Sequence, residues 1–419
     1  MRTNNVSLYE VLGRHPVHPF PARMAPGLAL EALSKLPRPA TVLDPMVGSG
    51  TVLAIARANG HRCIGFDVDP LAVLISRVWT RTVDESKARQ HARRVLNRAK
   101  RIATNLAARD AYPVAADSET RAFIRYWFDD YARRQLAALA IAIGNVKTKG
   151  IQEVLWCAFS RQIIAKQAGV SRALDLTHSR PHRWFERAPR KPFRFFLETV
   201  DRVIDGCAQQ KNKNRGPIAS IQLGDVRKLP LLTGSIDLVF TSPPYLNAID
   251  YLRCSKFSLV WMGYSIAGLR EIRSTSIGAE VGSKANAITD EVLADLGLRP
   301  TLSPEMGGIL RRYVEDTDRS LKEVARVLAP RGQAVYVVGE NTVRGTYIPT
   351  GHLVVHLAAR AGLRLASRRF RNLPANRRYL PPPGAGRTAM DTRIRREIIL
   401  TFKQSRSAQA RSARPKATA

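Results

Sequence analysis

A rigid turn rich in hydrogen-bond acceptors lies in the second half of the 419-residue sequence. The segment FTSPPYLNAIDYLR, residues 240–253, follows the apolar run SIDLVF, which predicts a buried strand that ends at the turn. Two consecutive prolines fix φ and remove two backbone donors. The Ser242 hydroxyl and the Pro243 carbonyl are therefore acceptors on a stiff backbone. Such a turn either only ends the strand or presents these acceptors to a ligand. The second interpretation requires another functional motif elsewhere in the chain.

A glycine loop, LDPMVGSGT, is the second motif. Asp44 ends the strand before the loop, Gly48 and Gly50 lie in the turn, and Thr51 opens the next helix. Glycines let a ligand approach the main chain, and the amides of a helix N-terminus bind polar or anionic groups. A dinucleotide fingerprint would have a third glycine where Leu53 stands, and the Gly-Lys-Ser/Thr of a P-loop is absent. The loop therefore fits neither a dehydrogenase nor an NTPase.

Two further acids follow predicted strands. Asp67 ends the second strand, 19 residues after Gly48, where doubly wound sheets hold an acid for ribose hydroxyls. Asp225, in QLGDVRKLP, ends the third strand, where a carboxylate could reach an adenine amino group. With Asp44, these acids indicate a cofactor that carries a nucleoside but no pyrophosphate. The alternative is that Asp67 and Asp225 are helix caps or turn residues.

The elements that must position these residues alternate as in an α/β fold. From about residue 40 the order is strand, glycine loop, helix and strand, which is typical of a doubly wound parallel sheet. Long helical patterns follow, including one helix predicted over residues 118–144, and a Ser-, Gly- and Ala-rich loop is predicted over residues 265–286. We divide the chain into residues 1–83 with the glycine loop, a helical insertion over 84–213 that is a candidate nucleic-acid-binding subdomain, residues 214–403 with the Ser-Pro-Pro-Tyr turn, and a basic disordered tail over 404–419.

The charge of the chain is strongly positive. Lys and Arg number 67 against 34 Asp and Glu, which gives a net charge of +33 and favours a polyanionic partner such as nucleic acid. The alternative is a basic surface that serves solubility. The four cysteines are far apart and form no C-x-x-C pair, so we expect no metal site, no disulfide framework and a cytoplasmic location. No signal peptide or membrane span is expected, because no apolar run approaches 18 residues.

Together these motifs resemble the S-adenosylmethionine-dependent amino-methyltransferases of DNA, the cytosine-N4 and adenine-N6 type. LDPMVGSGT is similar to their cofactor loop, TSPPY to their Ser/Asp/Asn-Pro-Pro-Tyr motif, and VHPFPARMAP to the HP-x-PA-K/R segment that precedes the loop. The resemblance covers roughly residues 15–80 and 216–402 and excludes the helical insertion. It implies a Rossmann-like methyltransferase sheet, mostly parallel with an antiparallel last strand, and S-adenosylmethionine as the cofactor.

The resemblance also implies a role for each motif. The glycine loop would hold the methionine part of the cofactor, and the acceptors of the turn would localise the lone pair of an exocyclic amine before it attacks the sulfonium methyl. The tyrosine would stack on a base flipped out of its helix. The implied residues are Phe20, Asp44, Gly48, Gly50, Thr51, Asp67 and Asp225 for the cofactor and Ser242, Pro243, Pro244 and Tyr245 for catalysis.

Substrate contacts are predicted outside these motifs. Arg183, Trp184 and Arg187, in the helical insertion, could bind phosphate or stack on a base, and the alternative is a solvated charged face. Tyr379 lies in a late loop where the resemblance places a base-contacting aromatic residue. Within the family, Ser-Pro-Pro-Tyr is commoner in cytosine-N4 enzymes, so cytosine-N4 is favoured over adenine-N6.

Two alternatives to a site-specific DNA methyltransferase remain. One is an amino-methyltransferase of tRNA or rRNA bases, although such enzymes usually carry an RNA-binding domain at the N-terminus. The other is a nucleic-acid-binding pseudoenzyme, which would be expected to have lost part of the motif set. DNA is thus the expected partner, with RNA as the alternative. A restriction–modification role is expected, and whether a restriction endonuclease accompanies the protein is left open.

Overall fold

The strands and helices are taken from a computed structural model that describes residues 6–20, 23–176, 181–208, 219–246, 252–279, 287–297, 304–343, 346–373 and 396–405. The strands are β1 (Thr41–Asp44), β2 (Arg62–Asp67), β3 (Ala173–Leu174), β4 (His182–Arg183), β5 (Ala219–Leu223), β6 (Ile236–Thr241), β7 (Leu328–Gly339), β8 (Asn341–Val343), β9 (Thr346–Ile348), β10 (Leu363–Asn372) and β11 (Arg396–Gln404).

The α-helices of the same residues surround these strands. They are α1 (Leu8–Leu12), α2 (Pro26–Leu33), α3 (Thr51–Ala58), α4 (Pro70–Thr80), α5 (Glu85–Asn105), α6 (Ser118–Trp127), α7 (Asp130–Gly144), α8 (Lys149–Ile163), α9 (Pro192–Gly206), α10 (Leu252–Leu259), α11 (Ile266–Thr275), α12 (Ala287–Asp295), α13 (Pro304–Val327) and α14 (Thr350–Arg360). None of these helices combines the length and the apolar character that crossing a bilayer requires.

Seven strands form one sheet in the order β10-β11-β7-β6-β1-β2-β5. The five neighbouring strands β7, β6, β1, β2 and β5 are parallel to one another, whereas β11 is antiparallel to both β7 and β10. The fold class predicted from the sequence, a mostly parallel doubly wound sheet with an antiparallel last strand, is therefore confirmed. The chain runs outward from β1 through β2 to β5 and then returns to β6 beside β1. Open α/β sheets bind ligands outside the carboxyl ends of the strands at such a change of direction.

The central strands are apolar on both faces because helices cover both faces. Val42 and Leu238 belong to the core under α2 and α3, whereas Leu43 and Val239 belong to the core under α13 and α14. Alternate residues of one strand thus point to opposite faces, as the pleat requires. A strand buried on both sides reads as a continuous apolar run, which is why the sequence revealed β1 and β6 clearly.

The helices α5 to α9 form a third core together with α4 and α10. Trp79 on α4 and Phe257 on α10 are buried in the same apolar cluster as Phe159 on α8. The segment before the glycine loop is tied to these helices, because Arg14 donates to the carbonyl oxygens of Trp79 at 2.9 Å and Gly206 at 2.8 Å. The domain boundaries predicted from the sequence stay a prediction.

Two helical predictions differ from the structure. The single helix predicted over residues 118–144 is two helices, because Phe128 is extended and the Asp129 carboxylate caps α7 by accepting from the Ala132 amide. The loop predicted over residues 265–286 contains α11, which Ser265 caps by accepting from the Gly268 amide. In both places a capping residue starts a helix at a position that the hydrophobic pattern and composition of the sequence did not indicate.

The glycine loop packs tightly on α4. Gly50 has φ +79°, and a Cβ atom at this position would lie 2.6 Å from Ser76 Oγ and 3.0 Å from Ser76 Cα. Gly60, at the end of α3, has a similar φ of +83°, but a Cβ atom there would meet nothing within 4 Å. Substituting Gly60 therefore measures the free-energy cost of the backbone angle alone. Substituting Gly50 measures that cost together with the cost of the close contact.

We expect Gly60→Ala to lower the free energy of unfolding by about 1 kcal/mol, the cost of a left-handed residue with a side chain. Gly50→Ala should lower it by about 2–4 kcal/mol, because the new methyl group also collides with the α4 backbone. Urea unfolding followed by circular dichroism measures both losses. Equal losses would contradict the close packing of the loop on α4.

Candidate active site

The residues that the sequence predicted to be functional gather at the carboxyl ends of the parallel strands. Asp44 ends β1, Asp67 ends β2, and Ser242 follows the last residue of β6. Because β11 is antiparallel to β7, its first residues also lie at this edge, and Glu397 pairs in register with Gly339. The edge therefore collects side chains from distant parts of the sequence.

A buried hydrogen bond joins the glycine loop to the Ser-Pro-Pro-Tyr turn. Thr241 Oγ1 donates to Asp44 Oδ1 at 2.9 Å, and the Met46 amide donates to the same oxygen at 3.2 Å. Both Asp44 and Thr241 are buried. Burial raises the pKa of Asp44 to about 7, against the lowering effect of these two hydrogen bonds and with a further increase from the Asp67 charge. The acid therefore remains easy to protonate near neutral pH.

The Asp67 carboxylate shapes the glycine loop. Its two oxygens accept hydrogen bonds from the Gly48 amide at 2.8 Å and from the Asp69 amide at 2.9 Å. Burial raises the pKa of Asp67 in spite of these bonds. Phe20 covers the loop, since a Cβ atom at Gly48 would lie 3.7 Å from Phe20 Cε1. The structure thus brings Phe20, Gly48 and Asp67 together, and their role in binding a cofactor stays a prediction.

Gly50 and Thr51 face the interior of the loop. Gly50 lies against Ser76 of α4, and the buried Thr51 hydroxyl shares a hydrogen bond with Ser49 Oγ at 3.0 Å. Both residues therefore stabilise the loop from within.

Asp225 forms a dense ion pair with Arg227. Arg227 Nε lies 2.9 Å from both carboxylate oxygens of Asp225, and Arg227 Nη1 lies 2.5 Å from Asp316 Oδ1. Burial acts to raise the pKa of Asp225, but the hydrogen bonds and charge of Arg227 outweigh it and the pKa is lowered. Within the residues that the structure describes, no hydrogen bond joins Asp225 to the glycine loop. Asp225 thus stands as an ionised, half-buried acid beside the β5 end.

The Ser-Pro-Pro-Tyr turn is held from behind by α13. Tyr313, fully buried on that helix, donates its hydroxyl proton to the Pro244 carbonyl at 3.3 Å. Pro243 is buried, whereas Ser242 is partly accessible. The Pro244 carbonyl is therefore hydrogen-bonded to α13. Ser242 and Pro243 lie just before it, directly after the end of β6. Sequence reasoning missed Tyr313, whose only signal was an aromatic position on a long amphipathic helix.

Tyr245 is fixed by the last strands of the sheet. Its ring lies on Gly339, where an added Cβ atom would come within 2.8 Å of Tyr245 Cε2. The Tyr245 hydroxyl donates to Glu397 Oε1 at 3.3 Å, and Arg371 Nη1 donates to Glu397 Oε2 at 2.9 Å. Burial raises the pKa of Glu397, although the Arg371 charge and the two hydrogen bonds act to lower it. Neither Glu397 nor Arg371 was predicted from the sequence.

Asp69 is a further residue that sequence reasoning did not single out. Its carboxylate caps α4 by accepting from the Leu71 amide at 2.8 Å and accepts from Ser255 Oγ of α10 at 2.6 Å. Burial raises the pKa of Asp69 to about 7, and the neighbouring Asp67 charge adds to the effect. The capping signal Asp-Pro was present in the sequence, but the partner on α10 was not. Through this bond α10, which follows the Ser-Pro-Pro-Tyr turn in sequence, is attached to the start of α4 just after β2.

The residues predicted to contact nucleic acid belong to the helical layer and do not form part of the seven-stranded sheet. Arg183 forms part of β4, and Trp184 and Arg187 follow it, all three exposed on the helical layer. Tyr379 lies outside the described residues.

Among known proteins, no family model matches the chain. The type II methyltransferase M.MvaI of Kocuria varians is 25% identical over 398 residues, which cover 87% of this chain and 85% of the relative. The type II methyltransferase M.MjaII of Methanocaldococcus jannaschii is 23% identical over 236 residues, 56% of this chain and 43% of the relative.

Among solved structures, a TehB-like SAM-dependent methyltransferase from Corynebacterium glutamicum covers 90% of this chain and 88% of its own. Its identity is 10% and its TM-score is 0.29, so the assignment does not depend on it. The likeness to M.MvaI, in contrast, extends over most of both chains, and the sheet is mostly parallel with an antiparallel last strand, as the sequence motifs imply. The chain is therefore similar, over most of its length, to a type II methyltransferase, the class of protein that the sequence motifs resemble.

Proposed function

We propose that the protein transfers a methyl group from S-adenosylmethionine to the exocyclic amine of a base flipped out of DNA, with cytosine N4 as the favoured target. The single observation that carries the proposal is the 2.9 Å hydrogen bond between Thr241 and Asp44. Asp44 begins the glycine loop that resembles a cofactor loop. Thr241 immediately precedes Ser242, the first residue of the turn whose acceptors suit an amine.

The cofactor would lie along the strand ends. An ionised carboxylate in a buried position is costly, so a cation beside Asp44, whose pKa is raised to about 7, would be stabilised there. The methionine ammonium group is such a cation. Phe20 would lie against the bound cofactor, Asp67 would accept from the ribose, and Asp225, which Arg227 keeps ionised, would accept from the adenine amino group. When bound, the cofactor supplies an electrophilic methyl group.

The turn would act on the amine of the target base. Its lone pair is delocalised into the ring, so the amine is a weak nucleophile. Acceptors at Ser242 Oγ and the Pro243 carbonyl, aimed at the two N–H groups, would localise the pair on nitrogen. The two prolines and the contact of Tyr313 with the Pro244 carbonyl keep these acceptors fixed before the substrate arrives, which is electrostatic preorganisation. Tyr245 would stack on the base.

The choice of cytosine N4 rests on the first residue of the turn. Ser242 stands where adenine-N6 enzymes more often carry Asp or Asn, and the resemblance on this point is to cytosine-N4 enzymes. The two relatives are type II methyltransferases, and their names do not state which base they modify. A companion restriction endonuclease stays a prediction.

The test is a methyl-transfer assay with labelled S-adenosylmethionine and unmethylated genomic DNA, followed by mass spectrometry of the nucleosides. N4-methylcytosine is the expected product. N6-methyladenine would correct the base and keep the chemistry. Label in RNA alone would favour an RNA methyltransferase. Cofactor binding without transfer to either polymer would contradict the proposal.

We expect Ser242→Ala to lower kcat by about 100-fold or more, since the loss of one preorganised group at a reacting centre commonly has this effect. The Kd for S-adenosylmethionine should change little, because the hydroxyl acts on the base. Single-turnover kinetics and calorimetry measure the two quantities. Ser235→Ala is the matched control, because Ser235 Oγ only donates to the Leu232 carbonyl at the exposed entry to β6. Equal losses in turnover and cofactor binding would contradict the role of Ser242.

Cofactor binding should weaken at acidic pH through Asp44. Because its pKa is raised to about 7, the carboxylate is ionised above this pH and becomes protonated below it, where it no longer attracts a cation. Calorimetry between pH 5.5 and 8.5 should show the Kd rising by about tenfold for each pH unit below 7.

Asp44→Asn separates this effect from Asp69, whose pKa is also raised to about 7. The variant should bind the cofactor weakly at every pH and lose most of the pH dependence. A wild-type Kd that stays constant over this range would contradict the contact between Asp44 and the ammonium group. An unchanged profile in the variant would assign the titration to Asp69.

A further inference from the structure

One surface of the helical layer combines exposed aromatic rings with cations. We call it the aromatic–basic surface, and it consists of Tyr126, Tyr131, Arg183, Trp184, Arg187 and Lys191. The exposed fractions are 51% for Tyr126, 53% for Tyr131 and 70% for Trp184. Three aromatic side chains so exposed, on α6, on α7 and in the loop after β4, favour a surface that another molecule covers.

Two of the three cations of this surface, Arg183 and Lys191, lie over aromatic rings. Arg183 Cζ lies 5.3 Å from the centre of the Tyr126 ring, and Lys191 Nζ lies 5.4 Å from that of Tyr131. Within the described part of the chain, Arg183, Arg187 and Lys191 form no ion pair. A ring orients a cation without neutralising it, so the positive charge remains available to an anion.

The backbone beneath these side chains is firmly held. The Trp184 amide donates to the Arg172 carbonyl at 2.9 Å, and the Arg172 amide donates to the Trp127 carbonyl at 2.8 Å. The Ala188 amide donates to Asp129 Oδ2 at 2.6 Å. The backbone of the loop after β4 is thus fixed to the junction of α6 and α7, so it loses little conformational freedom when a partner binds.

The same helices pack against the segment that follows the catalytic turn. The Phe257 ring of α10 lies 4.9 Å from Trp127 and 5.2 Å from Phe123, both on α6. The Ile266 amide at the start of α11 donates to Thr120 Oγ1 of α6 at 3.0 Å. Because α10 begins at Leu252, seven residues after Tyr245, the helices that carry the aromatic–basic surface pack against the helix that follows the catalytic turn in sequence.

We propose that the aromatic–basic surface binds the phosphate backbone of duplex DNA beside the target base, an inference that rests on the proposed function. Arg183, Arg187 and Lys191 neutralise phosphates, and Trp184 packs against the sugar–phosphate chain or an unstacked base. The residues of the surface lie between β2 and β5 in the sequence. The proposed DNA contacts therefore come from a part of the chain that precedes the catalytic turn.

A second exposed basic face provides a matched control. On α5, the side chains of Arg93, Arg94 and Arg98 are exposed and, among the described residues, form no contact with an aromatic ring. Removing three cations there changes the net charge as much as removing them from the aromatic–basic surface. The pair of variants therefore separates a local contact from the general attraction of a basic protein.

The experiment measures the affinity of the full chain for a fluorescent, mixed-sequence 30-base-pair duplex over a range of salt concentrations. The variant Arg183→Ala/Arg187→Ala/Lys191→Ala should reduce the slope of log K against log salt by about 2–3, roughly 0.9 for each lost phosphate contact. The variant Arg93→Ala/Arg94→Ala/Arg98→Ala should reduce it by less than about 1. Trp184→Ala should weaken binding about tenfold while leaving the slope unchanged, because stacking carries no charge.

An unchanged slope in the first variant, an equal fall in the α5 variant, or tighter binding of wild type to an RNA duplex of the same sequence would overturn the inference. Methyl transfer to genomic DNA and cofactor binding are measured on the same preparations. A wild-type protein that methylates DNA while its surface variant keeps the full slope contradicts the inference alone. A wild-type protein that binds the cofactor and methylates no DNA contradicts the proposed function.

Discussion

The hydrogen bond between Thr241 and Asp44 is the contact on which the rest of the site depends. It joins the ends of two adjacent parallel strands where the winding of the sheet reverses, so neither strand end can move without the other. Because both side chains are buried, the bond is formed in a medium of low polarity, where its geometry is strongly enforced. A loop that suits a cofactor and a turn that suits an amine thereby become one rigid unit.

A second theme is that carboxylates near the site shape the backbone as well as carrying charge. Asp67 accepts from two amides of the loops around it, and Asp69 caps α4 while accepting from Ser255 of α10. Burial raises the pKa of Asp44, Asp67 and Asp69, and the charge of Asp67 adds to the increase at Asp44 and Asp69. A cation bound beside these acids would stabilise their ionised forms and offset the cost of burying them.

The sequence predicted the parts of the site that depend on local pattern. Strand ends follow from apolar runs, and Gly48, Asp44 and Asp67 lie next to such ends. Partners distant in the chain were not predicted, because they depend on which strands become neighbours. Tyr313 is 69 residues from Pro244, and Glu397 is 152 residues from Tyr245. The second contact exists only because β11 inserts between β7 and β10, and no local pattern specifies that order.

The ion pair between Arg371 and Glu397 has a consequence for the position of Tyr245. It joins the last part of β10 to the first part of β11, and Glu397 also accepts a hydrogen bond from the Tyr245 hydroxyl. Tyr245 is therefore attached to two strands that come much later in the chain. A change in how β10 pairs with β11 would shift the tyrosine ring without altering any residue of the Ser-Pro-Pro-Tyr turn.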